Sequence, residues 1–321
     1  MSSSFAGSTR LAAASDRLER QGPQSARIMP IADLHACWYT GTVSREASAL
    51  RSELRQFALR YAEARGIPFY ESIGAKKPVV LFSPVDGRHG NFLDASYQAI
   101  QRNPKIRGRL GKRHAGARRA LPKRFQDDAC EMDSSNSSDA LLMNIFCYPE
   151  VGRSRVRDVL GLRQWTHPVF GVRFRLAGEP EGPRLRSQVD RRTEIDMTFS
   201  TDLAVEAKPT EAEFQQAADA SVMRYRHLEE VFAVQSLPRC KKGFDSYQLI
   251  RNILAAHERG GRFVVLYDRR RPDLLDRWNA VMRAIRIPAL RERCAVLTWQ
   301  QIAVAVPDEL RLFLVEKYGI G

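Results

Sequence analysis

Apolar positions along the chain follow one rhythm up to about residue 150 and another beyond it. In SREASALRSELRQFALRYAEAR (44–65), Leu50, Leu54, Phe57, Ala58 and Tyr61 share one helical stripe, which Gly66 and Pro68 end. Val79 to Phe82 is a short apolar run, read as a strand or extended segment, closed by Pro84 and the turn pair Asp86-Gly87. Residues 97–102 have helical spacing. Ser134-Ser135-Asn136-Ser137-Ser138 is a helix start leading into DALLMNIF (139–146), and Pro149 stops that helix.

Past 150 the period shortens. VFGVRFRL (169–176) alternates as a strand, and residues 177–191, rich in Gly, Pro and charge, read as a loop. Residues 194–199 and 203–208 read as two strands joined by a tight turn at Ser200-Thr201-Asp202. A long amphipathic helix is expected over about 211–234, carrying Phe214, Ala217, Ala218, Val222, Tyr225, Leu228, Val231 and Phe232. A helix over 247–259 ends at Gly260-Gly261, and RFVVLY (262–267) has the near-continuous apolarity of a strand buried on both faces. A helix at 274–285, a strand at 295–298 and a helix at 308–317 complete the order. This succession predicts an α/β protein with a mixed sheet flanked by helices. Three parts are expected: a weakly ordered tail (1–43), a mostly helical N-terminal region (44–149) and a core (150–321).

Composition narrows the picture. The 321 residues are 44% hydrophobic, enough for one large core, and no apolar run is long enough to span a bilayer. The cysteines Cys37, Cys130, Cys147, Cys240 and Cys294 are scattered with no CxxC pair, which predicts reduced thiols and a cytoplasmic setting. A net charge of +14 favours polyanionic partners. The excess concentrates between Arg102 and Arg124, where Arg107, Arg109, Lys112, Arg113, Arg118 and Arg119 lie in a stretch without an acid. Such a run is either a solvated charged face or a phosphate-backbone contact surface.

The candidate chemistry sits on the two central strands. Period-two alternation sends Ile195, Met197 and Phe199 to one face and Glu194, Asp196 and Thr198 to the other. In the next strand, Leu203, Val205 and Ala207 oppose Glu206 and Lys208. Pairing through the turn would bring Asp196, Glu206 and Lys208 together. Two carboxylates suit Mg²⁺, with Mn²⁺ as an alternative ion, and a neighbouring lysine can orient or deprotonate water and offset charge on a phosphorane. The backbone carbonyl of Ala207 is a further candidate ligand. Ordinary solvent-side charges on a hairpin would give the same letters.

The pattern EIDM…LAVEAKPTEAEF resembles the core of the PD-(D/E)xK nuclease superfamily, with Asp196 as its acidic residue and Glu206-Ala207-Lys208 as its (D/E)xK element. Further stretches are similar to a restriction-endonuclease-like bacterial branch: His89-Gly90-Asn91-Phe92, Ser137 to Leu141, Gln248-Leu249-Ile250-Arg251-Asn252, and the terminal LTWQQIA…LFLVEKYGI. The resemblance spans about residues 80–321. It implies a restriction-endonuclease-like sheet and Mg²⁺-dependent hydrolysis of DNA. Ile195 stands where the superfamily name places a proline. An additional acid could come from Glu131, Asp139 or Glu194, although Asp139 also reads as a helix N-cap.

Other chemistries find no support. The six histidines show no HxH or HxxxH spacing, no serine sits in GxSxG, and GxxxxGK[ST] is absent. Trp165, Trp278 and Trp299 read as core, and the HGNF stretch as a turn or packing element. Two alternatives stay open: a non-catalytic DNA-binding protein on the same fold, and an RNA-directed nuclease. Homodimerisation to cut both strands is equally open.

Overall fold

The computed structural model describes residues 45–71, 79–112, 130–179, 193–200, 202–211 and 213–321. The tail expected at 1–43 and the basic residues Arg113, Arg118 and Arg119 lie outside them, as does most of the loop expected at 177–191.

In chain order the elements are α1 (Arg45–Ala64), β1 (Phe69–Glu71), β2 (Val80–Phe82), β3 (Pro84–Val85), β4 (Arg88–His89), α2 (Asp94–Arg102), α3 (Pro104–Arg107), α4 (Ser138–Phe146) and α5 (Val156–Val159). The central strands follow: β5 (Val169–Phe174), β6 (Thr193–Phe199) and β7 (Leu203–Lys208). After them come α6 (Asp219–Val222), α7 (Leu228–Val231), β8 (Arg239–Cys240), β9 (Gly243–Phe244), α8 (Tyr247–Arg259), β10 (Arg262–Tyr267), α9 (Pro272–Ala284), α10 (Pro288–Glu292), β11 (Cys294–Thr298), α11 (Trp299–Ala303) and α12 (Asp308–Tyr318).

The main sheet has five strands in the order β11-β10-β7-β6-β5. β5, β6 and β7 form an antiparallel meander, while β10 runs parallel to both β7 and β11. Antiparallel neighbours can follow a tight turn, but a parallel neighbour needs a crossover, and the chain between β7 and β10 supplies it with α8. Each sheet face buries its own core. Met197, Phe199, Val205, Ala207, Val264 and Leu266 pack with α1, α4, α11 and α12; Phe263, Val265 and Tyr267 pack with α8 and α9 on the other side. This two-sided burial is what the unbroken apolarity of β10 requires. The first of these cores crosses residue 150, since Leu50, Leu54, Leu141, Leu142 and Ile145 pack in it with the strand residues. No helix among the described residues is long and apolar enough to cross a membrane.

The helix expected over 211–234 is replaced by α6 and α7, of four residues each, separated by turns. Its apolar residues are nonetheless buried: Phe214, Val222, Tyr225, Leu228, Val231 and Phe232 all join the α8-side core. At the start of the segment, the backbone hydrogen bonds that a continuous helix would need go elsewhere. Ala217 and Phe244 exchange two, at 3.0 and 2.8 Å, and the carbonyls of Phe214 and Gln215 accept the N–H groups of Gln248 and Tyr247 at the start of α8. Gln215, at φ 61°, stands in the left-handed region, which breaks a right-handed helix. Tertiary hydrogen bonding has overridden local periodicity here.

The HGNF stretch is a packing hub. His89 Nδ1 accepts from Asn91 N–H at 3.1 Å, and its Nε2 faces Asp133 Oδ1 at 3.1 Å. Asn91 donates to the carbonyls of Met132 (2.6 Å) and Ser134 (2.8 Å). From α12, the buried Lys317 Nζ donates to Gly90 O at 3.0 Å and Asn91 Oδ1 at 2.6 Å, tying the C-terminal helix to this turn. Trp278 and Trp299 are core residues, and Trp165 lies half-buried against the Phe199 ring.

Phe199 anchors the end of β6 at the turn, with ring centroids 5.8 Å from Phe146 and 5.0 Å from Trp165. Phe199→Ala is expected to cost about 3–5 kcal/mol of stability, through lost transfer energy and an unfilled cavity. Urea denaturation followed by far-UV circular dichroism measures it; a loss below about 1 kcal/mol would mean the site collapses freely.

Candidate active site

The geometry follows from how the β6–β7 hairpin ends. Pairing runs from Phe199–Leu203 through Thr198–Ala204 to Met197–Val205 and stops, one step before Asp196 and Glu206 would face each other. In place of the next ladder bond, the Ala207 N–H donates to Asp196 Oδ2 at 2.8 Å. β7 continues against β10, with Glu206 level with Val265 and Lys208 with Tyr267. The strands therefore part where their polar rows meet, and Asp196, Glu206 and Lys208 come together there.

Glu206 is wholly buried. Lys208 Nζ lies 3.0 Å from its Oε1, Gln248 Nε2 also donates to Oε1, and Asn252 Nδ2 donates to Oε2 at 2.9 Å. Gln248 and Asn252 are four residues apart on α8 and hence on one face. A carboxylate removed from water requires donors of this kind. Burial raises the Glu206 carboxyl above its ordinary range, against the opposing pull of Lys208 and Asn252. Asp196, half-buried, is raised well above its ordinary range by burial first, then by the charges of Glu206 and Asp139. For Lys208, burial acts to lower the pKa. The carboxylates of Glu206, Glu211 and Asp196 outweigh it and hold the ammonium above its ordinary value.

The three additional acids gather beside this centre around two cations. Buried Asp139, on α4, accepts from Arg109 Nη2 at 3.0 and 2.7 Å and from Lys112 Nζ at 3.0 Å. Glu194 Oε1 lies 3.3 Å from Arg109 and 3.6 Å from Lys112, while Glu131 pairs with Lys112 at 3.1 Å. The N-cap of α4 is Ser137, whose side chain accepts from Ala140 N–H, so Asp139 is not the cap. Arg109 reaches this position across β5. The register passes from Phe170–Met197 to Val172–Ile195, leaving Gly171, at φ 63°, level with Asp196. A Cβ there would stand 1.7 Å from Arg109 Nη1.

Of the basic run, Arg107 is exposed, whereas Arg109 and Lys112 are drawn into these ion pairs. A cavity of about 510 Å³ opens beside them, lined by Lys105, Arg109, Lys112, His167, Arg173 and Glu194. A smaller one of about 150 Å³ is bounded by Glu194, Gln248 and Asn252. A larger cleft, about 1010 Å³, lies by Arg65, His89 and Leu312 and contains none of these acids.

Gln248, Asn252 and Glu211 lie outside the Asp196 and Glu206-Ala207-Lys208 pattern that the sequence carries. Two amides four apart on one face of α8 are the available signal for the first pair. Glu211, just after β7, acts on Lys208 and Glu206 through its charge, and one of its oxygens is buried without a hydrogen-bond partner.

Fold and site define a mixed α/β protein with a carboxylate–lysine centre where two strands of its sheet part. The chain belongs to the family described as restriction endonuclease associating with ARP, which matches residues 59–319 and so takes in every residue of this centre. Comparison with curated proteins and with solved structures returns no match.

Raised carboxyls link stability to pH. Because the folded-state value of Asp196 lies above its unfolded value, its contribution to stability is complete below the ordinary carboxylate range and is lost as pH rises through the raised value. Asp196→Asn keeps an acceptor for the Ala207 N–H and abolishes that loss. Without divalent ions, the variant is expected to be about 0.5–2 kcal/mol more stable than wild type on the alkaline side, the gain shrinking towards acid pH. Urea titrations in chelator across the pH range measure this; a pH-independent difference would contradict the raised carboxyl.

Proposed function

We propose that this chain is a divalent-metal-dependent nuclease that hydrolyses DNA phosphodiester bonds at the Asp196–Glu206–Lys208 centre. One observation carries the reading: two strands separate so that these three side chains converge, with the Glu206 carboxylate fixed by Lys208, Gln248 and Asn252. The family's description as a restriction endonuclease supports DNA as the substrate.

The donor set fits Mg²⁺, with Mn²⁺ as a substitute. Its oxygens are hard carboxylate ligands, and the mutual repulsion of Asp196, Glu206 and Asp139 is the charge imbalance a divalent cation relieves. Asp196 and Glu206 would hold the ion, with the Ala207 carbonyl as a further ligand and Asp139, Glu194 and Glu131 as outlying acids. When bound, it supplies Lewis-acid polarisation of the phosphoryl oxygen and lowers the pKa of water. Lys208, held as a cation by three carboxylates, donates hydrogen bonds to the attacking water or the phosphoryl oxygens and offsets the charge that develops there. Gln248 and Asn252 keep Glu206 oriented. Arg107, Arg109 and Lys112, with Arg113, Arg118 and Arg119, would contact the phosphate backbone.

The test is cleavage of supercoiled, linear and single-stranded DNA, and of RNA, by purified protein in Mg²⁺ or Mn²⁺. Asp196→Ala and Lys208→Ala are each expected to lower the rate by about 10²–10³ or more, the scale of losing one charge-stabilising group. Asn252→Ala, which removes only a supporting bond, is expected to cost about 10–100-fold. A wild type that binds DNA but cuts nothing in either ion, with both variants binding equally well, would leave a DNA-binding protein. Faster cutting of RNA would reassign the substrate.

A further inference from the structure

On the α8 side of the sheet a second cluster of metal-ligand side chains forms, sharing no residue with the proposed active site. His227 immediately precedes α7, Glu230 lies within it, and His257 is in the last turn of α8. Glu230 stands between the two imidazoles. Its Oε2 is 2.8 Å from His227 Nδ1 and its Oε1 is 3.1 Å from His257 Nε2. One ligand atom from each residue falls within 4.8 Å of the others. The rings are 5.5 Å apart between centroids. His227 and His257 are half-buried, whereas Glu230 is exposed, so an ion could enter from the solvent side.

We propose that His227, Glu230 and His257 form a binding site for a divalent transition-metal ion of the Zn²⁺ class. Two imidazoles and a carboxylate are the ligands such ions prefer, whereas Mg²⁺ favours all-oxygen sites. Zn–N bonds of about 2.0–2.1 Å need the three ligand atoms to surround a common point, and atoms already within 4.8 Å of one another reach it by small side-chain rotations. In the metal-free protein each facing imidazole nitrogen serves as a hydrogen-bond donor to Glu230. On binding, each gives up that hydrogen, by tautomer shift or release to solvent, and turns its lone pair to the ion. Water completes the coordination on the solvent side. A surface ion pair needs one histidine and one acid. Here two histidines thirty residues apart in sequence meet both oxygens of one carboxylate. The bound ion would pin α7 to the C-terminal end of α8, the helix whose N-terminal half carries Gln248 and Asn252.

The experiment is calorimetric titration of Zn²⁺ into the full chain, freed of any polyhistidine tag and kept in excess Mg²⁺ so that the carboxylate centre is occupied. Wild type, Asp196→Ala and the double variant His227→Ala with His257→Ala are compared. One equivalent of Zn²⁺ is expected to bind wild type and Asp196→Ala alike, with a matching rise in Tm. In the double variant the affinity is expected to fall by more than about 100-fold, since even supporting residues around a metal are worth about 10–100-fold. Co²⁺ gives a second readout, a visible d–d spectrum present in the first two proteins and absent in the third. No Zn²⁺ uptake by wild type, or equal uptake by the double variant, would overturn the site. Loss of binding in Asp196→Ala would also overturn it, by assigning the ion to the carboxylate centre. None of these outcomes depends on DNA cleavage, so the site and the nuclease reading fail separately.

Discussion

The structure around the sheet depends on how one carboxylate survives without water. Glu206 lies mid-sheet between β6 and β10, and an unpartnered ion there would cost several kcal/mol. Lys208 answers the charge from the same strand two residues on, and α8 supplies Gln248 and Asn252. This demand reaches back into the fold. α8 must cross the sheet with one particular face towards β7, and the segment from Phe214 to Phe244 supports that placement by capping and pairing at its start. A helix over 211–234 could not have made those bonds.

The same electrostatics joins the N-terminal region to the centre. Asp139 comes from α4, yet its charge helps hold the Asp196 carboxyl high, and the cations that balance it, Arg109 and Lys112, come from the basic stretch. Arg109 fits because Gly171 has no Cβ. Acids from β6 and α4 thus share cations from one loop. An incoming polyanion would compete with Asp139 and Glu194 for Arg109 and Lys112, while a divalent cation would compete with those residues for the acids. In the proposed function, the two bindings would therefore favour one another.

Much of this was legible in the sequence where the cause was local. Period-two alternation placed Asp196, Glu206 and Lys208 on one face and Ile195, Met197, Val205 and Ala207 in the core, because side-chain direction in a strand follows from backbone geometry alone. The ends of α1, α4 and α8 were readable from Gly66, Ser137 and Gly260 for the same reason. Failures came where distant parts decide. The 211–234 segment has helical spacing and buries its apolar residues, yet the hydrogen bonds of its first turns, at Phe214, Gln215 and Ala217, are claimed by Phe244, Tyr247 and Gln248. Glu131, Asp139 and Glu194 could be named as acids. That Arg109 and Lys112 would sit among them, rather than project to solvent, depends on a contact between β5 and the 108–112 turn.

The histidines make the same point from the other direction. Spacing along the chain gave no ligand set, since His227 and His257 are thirty residues apart and lie on different elements. Only the packing of α7 against α8 brings them to Glu230. A search for short motifs assumes that ligands share one helix or one turn. A crossover connection instead places the end of one helix beside another, so long-range ligands are what such a topology should produce. The two clusters also differ in kind: carboxylate oxygens gather where the strands part, and imidazoles on the helical layer. That division follows from what each place can bury. The strand end sits among fixed donors that can hold an anion, whereas the helix surface remains open enough for two imidazole rings and one solvated carboxylate.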